Sequence, residues 1–311
     1  MSHFLIQPYQ NASIIGAEHE VPVSIIIRAL NEERYLPDCL RAIRQQRYQG
    51  DIEIILVDSG SVDSTVEIAK TNGCNVLYIP KEEFSYGGAL NYGISKARYD
   101  YIVVLSAHCV PDSPDWLSEL LAPIRQGLAQ MVYGPHRADP EARSSEINYF
   151  VEKFSQSRGL QSSPRLNNGN SAFLKELWKV RPFDEKLSAQ EDVEFSSWHI
   201  NNGARLYFVP SARVVHYHND RNKTLYRRIY NEVLVEFQLG IRKLGWVPYK
   251  ILLLPIRITK DLALAYRRNG MIRAFRGVVY FRLVEIGAYL AASSKYINVA
   301  LEGKRRILKM K

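Results

Sequence analysis

The first third of the chain alternates short, strongly apolar runs with amphipathic segments, and no other feature constrains the fold as much. Four runs rich in β-branched residues have the composition of buried strands: VPVSIIIRAL (21–30), DIEIILVDSGS (51–61), NVLYIP (75–80) and DYIVVLSAH (100–108). The segments between them are predicted helices: NEERYLPDCLRAIRQQ (31–46), entered through Asn31, VDSTVEIAKTNG (62–73), with Asp63 as N-cap, and GGALNYGISKAR (87–98). This alternation predicts an α/β fold with a mostly parallel central sheet flanked by helices.

Polar residues stand at the end of three of these predicted strands. They are Asn31-Glu32, Asp58-Ser59 and Ser106 to His108. Because ligands of open parallel sheets bind at the carboxyl ends of the strands, we expect these residues to converge on one edge and form a site there.

The middle of the chain is less regular. We predict a helix over 115–127, a strand and turn over 131–140, and a polar excursion over 136–165. We predict a turn that enters a strand at NNGNSAFLK (167–175) and a loop followed by a helix over 183–203. Two short strands about Pro210 are predicted over 204–220. From Thr224 onward the pattern is helical. We therefore predict a catalytic domain over 1–220 and a basic helical extension over 221–311.

Charge is distributed unevenly along the chain. The net charge is +9, but Arg221–Lys311 alone has 20 Lys and Arg against 5 Asp and Glu, a balance of +15, which leaves −6 for the rest. A basic segment interleaved with Tyr, Trp and Leu predicts contact with an anionic membrane surface. The alternative is a solvated face packed on the rest of the protein. We expect no nucleic-acid partner, because nothing resembles a recognition motif.

The cysteines and the lengths of the apolar stretches indicate where in the cell the protein is located. Cys39, Cys74 and Cys109 are odd in number and widely spaced, which favours reduced thiols over disulfides or a CxxC zinc site. We expect neither a signal peptide nor a transmembrane span. Together with the basic extension, this predicts a cytoplasmic protein that is peripheral on the inner face of the membrane.

Single residues at these positions have alternative interpretations. Asp58 could accept hydrogen bonds from a nucleobase or ribose, or only form a turn. His108, with the later His216 and His218, could bind a divalent cation, or the three could be separate surface histidines.

The pair Glu191-Asp192 also has two interpretations. It could supply a general base that deprotonates an acceptor hydroxyl, or only place acids in the first turn of a helix.

Taken in order, the motifs resemble those of family 2 inverting glycosyltransferases with the GT-A fold, over roughly residues 21–220, and most closely the bacterial rhamnosyltransferase-like members. The segments that carry the resemblance are VSIIIRALNEERYLPDCL, ILVDSGSVDSTVEIA, FSYGGALNYGI, LSAHCVP, SAQEDVEFSSW and VPSARVVHYH.

The resemblance implies roles for particular residues. Asp192 would be the catalytic base, with Glu191 beside it. Residues of the nucleotide-sugar site would be Ala29, Glu32, Asp58, Gly88, Asn91, Ser106 and Ala107. Residues of the pocket where donor sugar and acceptor meet would be Asn168, Gly169, Asn170 and Trp198. The implied reaction is a single in-line displacement that transfers sugar from a nucleotide diphosphate to a glycan or polyprenyl-linked hydroxyl.

The chain departs from the family where a D-x-D motif is usual. Here the motif reads Ser106-Ala107-His108, so both carboxylates are missing. The family then implies a divalent cation on His108 with His216 or His218, Mn²⁺ in preference to Mg²⁺, because imidazole suits softer ions. Two alternatives stay open: a metal-independent enzyme that relies on basic residues, and a catalytically inactive GT-A module that binds a glycan or a partner. A nucleotidyltransferase is disfavoured, because no Gly-rich triphosphate loop follows the first strand.

Overall fold

The computed structural model describes residues 20–139, 142–154, 158–217, 222–269 and 271–309. The chain divides into two compact units. The first contains the described residues within 1–139, 152–187 and 191–217, and the second those within 140–151, 188–190 and 218–311. The second unit thus includes two short segments from the range predicted for the catalytic domain.

The first unit is built on an eight-stranded sheet. Its strands, in spatial order, are β3 (Asn75–Tyr78), β2 (Ile52–Asp58), β1 (Val23–Ala29), β4 (Tyr101–Ser106), β9 (Asn170–Leu174), β6 (Met131–Tyr133), β10 (Leu206–Phe208) and β8 (Gly159–Gln161). β3, β2, β1 and β4 are mutually parallel, as the apolar runs predict. β9 is antiparallel to both β4 and β6.

The central strands are buried on both faces, which explains their continuous apolar sequences. Along β1, Ile25 and Ile27 belong to the hydrophobic cluster on one face, whereas Ile26 belongs to the cluster on the other. All three side chains are fully buried. Helices therefore cover both faces, as expected for crossover connections between parallel strands.

The helices of this unit follow the predicted pattern with shifted boundaries. They are α1 (Leu36–Arg44), α2 (Thr65–Thr71), α3 (Tyr86–Lys96), α4 (Trp116–Arg125), α6 (Lys175–Val180) and α7 (Glu191–Asn201), with a 3-10 turn at Lys81–Glu83. A further helix, α5 (Ser144–Phe154), is divided between the units, with its residues up to Val151 in the second. The prediction that the first helix begins at Asn31 is wrong. Asn31 has φ of +56°, a left-handed conformation that cannot continue a helix. Asp63 also misses the N-cap position, which Ser64 occupies.

A second, three-stranded sheet stands beside the first. Its order is β5 (Cys109–Pro111), β11 (Val214–His216) and β7 (His136–Ala138). The prediction of a polar excursion over 136–165 is wrong, because β7, α5 and β8 lie in this range. α5 escaped detection because its buried residues are few and partly polar: Ser144, Ser145 and Phe150.

The second unit is helical where it is described. It contains α8 (Asn222–Gln238), α9 (Trp246–Leu252), α10 (Leu254–Asn269) and α11 (Met271–Lys309). One core cluster joins Val233, Phe237, Val247, Tyr289 and Ala292.

The second unit also buries a charged network between α10 and α11. Arg282 binds Asp261 at 2.8 Å and Glu285 at 2.8 Å, and Arg257 forms two 2.9 Å bonds to Glu285. The two cations and two anions balance, so each buried charge is compensated. None of the described helices combines the length and apolarity needed to cross a membrane.

Candidate active site

The carboxyl ends of β1, β2 and β4 meet at one edge of the large sheet. Strand register pairs Ala29 with Asp58, and Arg28 with Ser106. The convergence predicted from the polar strand ends is therefore present. The side chains of Ala29 and Ala107 are buried, so these two residues line the edge mainly through their backbones.

Asp58 organises the turn that follows β2. Its carboxylate accepts hydrogen bonds from the backbone N–H of Gly60 at 3.0 Å and of Ser61 at 3.1 Å. Gly60 has φ of +96°, which favours glycine at this position. A carboxylate has about four lone-pair positions. The turn-forming role therefore leaves capacity for a ligand at the same side chain.

Glu32, His108 and Ser106 form a hydrogen-bonded row where the D-x-D motif is usual. Oε1 of Glu32 lies 2.7 Å from Nδ1 of His108, and Nε2 of His108 lies 3.3 Å from Oγ of Ser106. The backbone N–H of Glu32 donates to Oγ1 of Thr65 at 2.7 Å, which holds Glu32 in place. An ionised Glu32 selects the tautomer with the proton on Nδ1 and leaves the lone pair on Nε2.

Two further histidines lie next to His108. The ring centroids of His108 and His216 are 5.0 Å apart, and those of His216 and His136 are also 5.0 Å apart. Burial, with the Lys153 ammonium and the His108 imidazole nearby, lowers the pKa of His136 to about 3, so this ring is neutral at ordinary pH. Sequence reasoning missed His136, whose three-residue strand has no recognisable pattern. The predicted ligand His218 lies outside the described residues.

Glu191 and Asp192 begin α7 and differ in their surroundings. Oε1 of Glu191 accepts from Nη1 of Arg28 at 3.0 Å and from Nδ2 of Asn168 at 3.3 Å. Asp192 accepts from the backbone N–H of Asn168 at 3.0 Å and of Val193 at 2.8 Å. Burial, reinforced by the negative charge of Glu191, raises the pKa of Asp192 from 3.8 to about 7.

This difference separates the two acids chemically. Arg28 neutralises Glu191, whereas Asp192 is poised to exchange a proton near neutral pH. Arg28 is given no role in the sequence analysis. It also donates to the backbone oxygen of Tyr86 at 3.1 Å, and so joins β1, α3 and α7.

The turn at 167–170 connects the strand edge to these acids. The backbone N–H of Ser106 donates to the oxygen of Gly169 at 3.4 Å. A Cβ on Gly169 would lie 2.4 Å from Cε1 of His136, so a larger residue there would displace this imidazole. Asn170 has a structural role: its fully buried amide accepts from Nε1 of Trp116 and donates to the oxygen of Ala212.

Three predicted site residues make other contacts. The N–H of Gly88 donates to Ser85, the N-cap of α3. Asn91 donates to Phe183 and Glu185 and accepts from Trp178 and Phe183. Trp198 lies against the guanidinium of Arg181, 5.2 Å from its ring centroid. Their predicted roles toward the donor or acceptor stay predictions.

Known proteins resemble this chain in sequence. Residues 24–174 match the family described as Glycosyl transferase family 2. The chain is 25% identical to the O-antigen chain rhamnosyltransferase RfbN of Salmonella typhimurium over 223 residues, 67% of this chain and 70% of that protein. It is 26% identical to the O-antigen chain rhamnosyltransferase WbaN of Salmonella anatum over 192 residues, 58% of this chain and 61% of that relative. The latter match therefore spans a little under two thirds of the relative.

Solved structures share the fold. The mannosyltransferase PcManGT from Pyrobaculum calidifontis, in complex with GDP-Man and Mn²⁺, superposes with a TM-score of 0.63 at 18% identity, covering 90% of this chain and 88% of that one. Glucosyl-3-phosphoglycerate synthase from Mycobacterium tuberculosis, in complex with Mn²⁺, UDP-glucose and phosphoglyceric acid, superposes with a TM-score of 0.53 at 18% identity. This match covers 71% of this chain and 81% of that one. These likenesses confirm the predicted fold class.

Proposed function

Since the chain carries a family 2 glycosyltransferase domain, we propose that it transfers a sugar from a nucleotide-diphosphate sugar to a hydroxyl of a glycan or lipid-linked acceptor, with inversion at the anomeric carbon. The similarity to two O-antigen chain rhamnosyltransferases supports a place in bacterial cell-surface glycan synthesis and a hexose or deoxyhexose as the transferred sugar.

The position and pKa of Asp192 carry this proposal. Its carboxylate is fixed by the backbone of Asn168, at the turn that contacts the end of β4. With a pKa of about 7, it accepts a proton from an acceptor hydroxyl and is still ionised in a large fraction of molecules. The hydroxyl oxygen then attacks the anomeric carbon, the bond to the diphosphate breaks, and no enzyme nucleophile is needed.

The residues at the D-x-D position fit a divalent cation. In metal sites, a ligating histidine usually donates its second N–H to a carboxylate, as His108 does toward Glu32 at 2.7 Å. Nε2 of His108 is then the ligand atom, and Ser106 lies beside it. When bound, such a cation neutralises the charge that develops on the diphosphate. We propose Mn²⁺ in preference to Mg²⁺, because imidazole suits softer ions.

Nucleotide binding tests the donor side. We would titrate UDP, dTDP, GDP and CDP calorimetrically with Mn²⁺, Mg²⁺ or EDTA, using wild type, His108→Ala and Glu32→Gln. We expect one diphosphate to bind with Mn²⁺, and Glu32→Gln to weaken it about 10- to 100-fold. Binding that ignores EDTA and both substitutions would contradict the cation assignment and favour basic residues as the diphosphate ligands.

Transfer assays test the base. Asp192→Asn should bind the donor like wild type but lower transfer about 10²- to 10⁴-fold. Asp100→Asn is the matched control, because this exposed carboxylate precedes β4 and so lies at the opposite edge of the sheet. Equal transfer by Asp192→Asn and Asp100→Asn would contradict the assigned role.

We also propose that the helical unit binds an anionic membrane surface, which would place the enzyme on the inner face of the cytoplasmic membrane. Large apolar side chains are exposed on α9 and α10, among them Tyr249, Leu252 and Ile256. Lys260 is exposed in the same region. Apolar side chains that enter the interface beside cations that meet lipid phosphates are typical of peripheral helices.

Vesicle sedimentation tests this attachment. Wild type should sediment with vesicles containing phosphatidylglycerol and remain free with phosphatidylcholine alone. Leu252→Ser, at a residue 75% exposed, should weaken binding, whereas Val62→Ser, at a residue 91% exposed in the first unit, should not. Identical sedimentation of the two variants would contradict the proposed surface.

A further inference from the structure

The three strands of the small sheet each place one metal-ligating side chain on the same face. Cys109 on β5 pairs directly with His216 on β11. On the other side of β11, His216 pairs with Ala138, and His136 precedes Ala138 by two residues on β7. Because side chains alternate along a strand, residues two apart share a face. The register alone therefore brings Cys109, His136 and His216 together.

The three ligand atoms form a compact group. The sulfur of Cys109 and one ring nitrogen from each histidine all lie within 4.8 Å of one another. A tetrahedral zinc ion, with nitrogens at about 2.1 Å and sulfur at about 2.3 Å, separates its ligand atoms by roughly 3.4 to 3.6 Å. The ligand atoms would have to approach one another by at most about 1.4 Å to reach these separations.

The surroundings of the group suit a soft cation. All three residues are buried, with Cys109 at 0%, His136 at 7% and His216 at 8% exposure. A thiol with two imidazoles is a donor set that favours Zn²⁺ over Mn²⁺ or Mg²⁺, because the latter two prefer carboxylate, carbonyl and water oxygens.

The backbone around the group is shaped to admit His136. The missing side chain of Gly169 leaves the space that the imidazole fills, since a Cβ there would lie 3.0 Å from its Nε2. The ring is thus held against the turn at 167–170 and away from solvent.

We infer that Cys109, His136 and His216 form a buried site for a zinc-class cation, separate from the donor cation proposed on His108. Binding would release the thiol proton, leave three protein ligands on the ion, and keep one position for water or another group. His216, predicted as a ligand of the donor cation, is reassigned to this site. The ion would link β5, β11 and β7, and so fix the chain directly after the His108 turn.

Metal analysis of the full chain tests the inference without any need for transfer activity. Protein purified without a metal-affinity step and dialysed against Mg²⁺ buffer should retain about one zinc per chain. After the zinc is removed with chelator, Co²⁺ should produce a thiolate-to-cobalt charge-transfer band in the near ultraviolet and strong four-coordinate bands in the visible.

Variants assign the ligands. Cys109→Ala should abolish the charge-transfer band, and His136→Asn should lower the zinc content. Cys74→Ser is the matched control, because Cys74 is also a buried free cysteine, and it should keep both signals. If Cys109→Ala fails to fold, X-ray absorption at the zinc edge of wild type should show one sulfur and two imidazole nitrogens.

Three results would overturn the inference: absence of zinc and of a cobalt charge-transfer band, a band that survives Cys109→Ala, or an absorption edge with oxygen ligands only, which would indicate an adventitious ion. The proposed transferase activity is judged separately, because nucleotide binding and transfer are measured with Mn²⁺ and depend on His108 and Asp192. A protein that holds zinc but transfers no sugar would leave the inference standing and contradict only the proposed function. A protein that transfers sugar but holds no zinc would contradict only the inference.

Discussion

Nη1 of Arg28 lies 3.0 Å from Oε1 of Glu191, so that a residue of the first strand neutralises an acid 163 positions later. The side chains are 19% and 7% exposed, so the pair is largely removed from water. This pair distinguishes Glu191 from Asp192, which begins the same helix but accepts hydrogen bonds from backbone N–H groups and not from a cation.

Loss of Arg28 should destabilise the fold. Arg28→Gln leaves the Glu191 carboxylate buried without its cation, and we expect the free energy of unfolding to fall by about 2 kcal/mol. Urea unfolding measures this. Arg41→Gln, which removes an exposed pair with Asp38, should change stability by less than about 0.5 kcal/mol. Equal effects would contradict the importance of burial at Glu191.

Transfer should depend on pH through Asp192. Burial raises the pKa of this group to about 7, and the base must be ionised to accept a proton. The rate of transfer should therefore rise from pH 5 and level off above about pH 8. A rate that is flat between pH 5 and 8 would show that another group takes the proton.

The same pKa predicts an opposite trend in stability. A carboxyl whose folded pKa exceeds its unfolded value of 3.8 stabilises the fold at low pH, and this contribution is lost as pH rises through 7. Asp192→Asn removes the ionisable group, and with it the loss of stability at higher pH. The variant should gain stability relative to wild type between pH 4 and 8, as thermal unfolding across this range would show.

Gly169→Ala should strain the site. The added Cβ would lie 2.4 Å from Cε1 of His136, and overpacking of this kind costs about 1–3 kcal/mol. Gly245→Ala is the matched control, because no atom lies within 4 Å of its Cβ position. Thermal unfolding compares the two. A tolerated Gly169→Ala would mean that the imidazole of His136 moves freely.

The buried network of the helical unit should make that unit sensitive to acid. Burial opposes ionisation of Glu285, but Arg282 and Arg257 hold its pKa below the ordinary 4.5. Stability from this pairing is present above pH 4.5 and is lost as pH falls through the folded pKa. Helix content, followed by circular dichroism, should therefore decline below pH 4.5.

A substitution in the same network should have a large effect at neutral pH. Arg282→Met leaves Asp261 and Glu285 undercompensated, at a cost of about 3–5 kcal/mol. Lys260→Met, at an exposed position of the same unit, should be nearly neutral in urea unfolding. Similar unfolding midpoints for the two variants would contradict the prediction.

Much of the fold could be predicted from local patterns. The parallel strands could be predicted because a strand that is buried on both faces has a continuous apolar sequence, as in SIIIR and IILV. The family and the transferase class were predicted from ordered motifs, and both are confirmed. Helix starts were less predictable. Because the backbone of Asn31 is left-handed, α1 begins only at Leu36, and the composition of the segment does not predict this.

Contacts between distant segments could not be predicted. His136 joins His216 only because β7 and β11 pair in parallel, and a three-residue strand has too short a pattern to detect. The bond between Arg28 and Glu191 depends on the fold of everything between them. Single polar residues in a sequence do not reveal which partner will neutralise them.

The antiparallel insertion of β9 next to β4 has a consequence for how this enzyme could change. Leu105, near the end of β4, pairs with Asn170, the first residue of β9, so a hydrogen-bonded ladder sets the spacing between the proposed diphosphate side and the proposed hydroxyl side. Because the two strands pair residue by residue, this spacing cannot lengthen gradually. New sugar preferences are therefore expected to arise by exchange of surface loops, while the distance across which the glycosyl group travels stays constant.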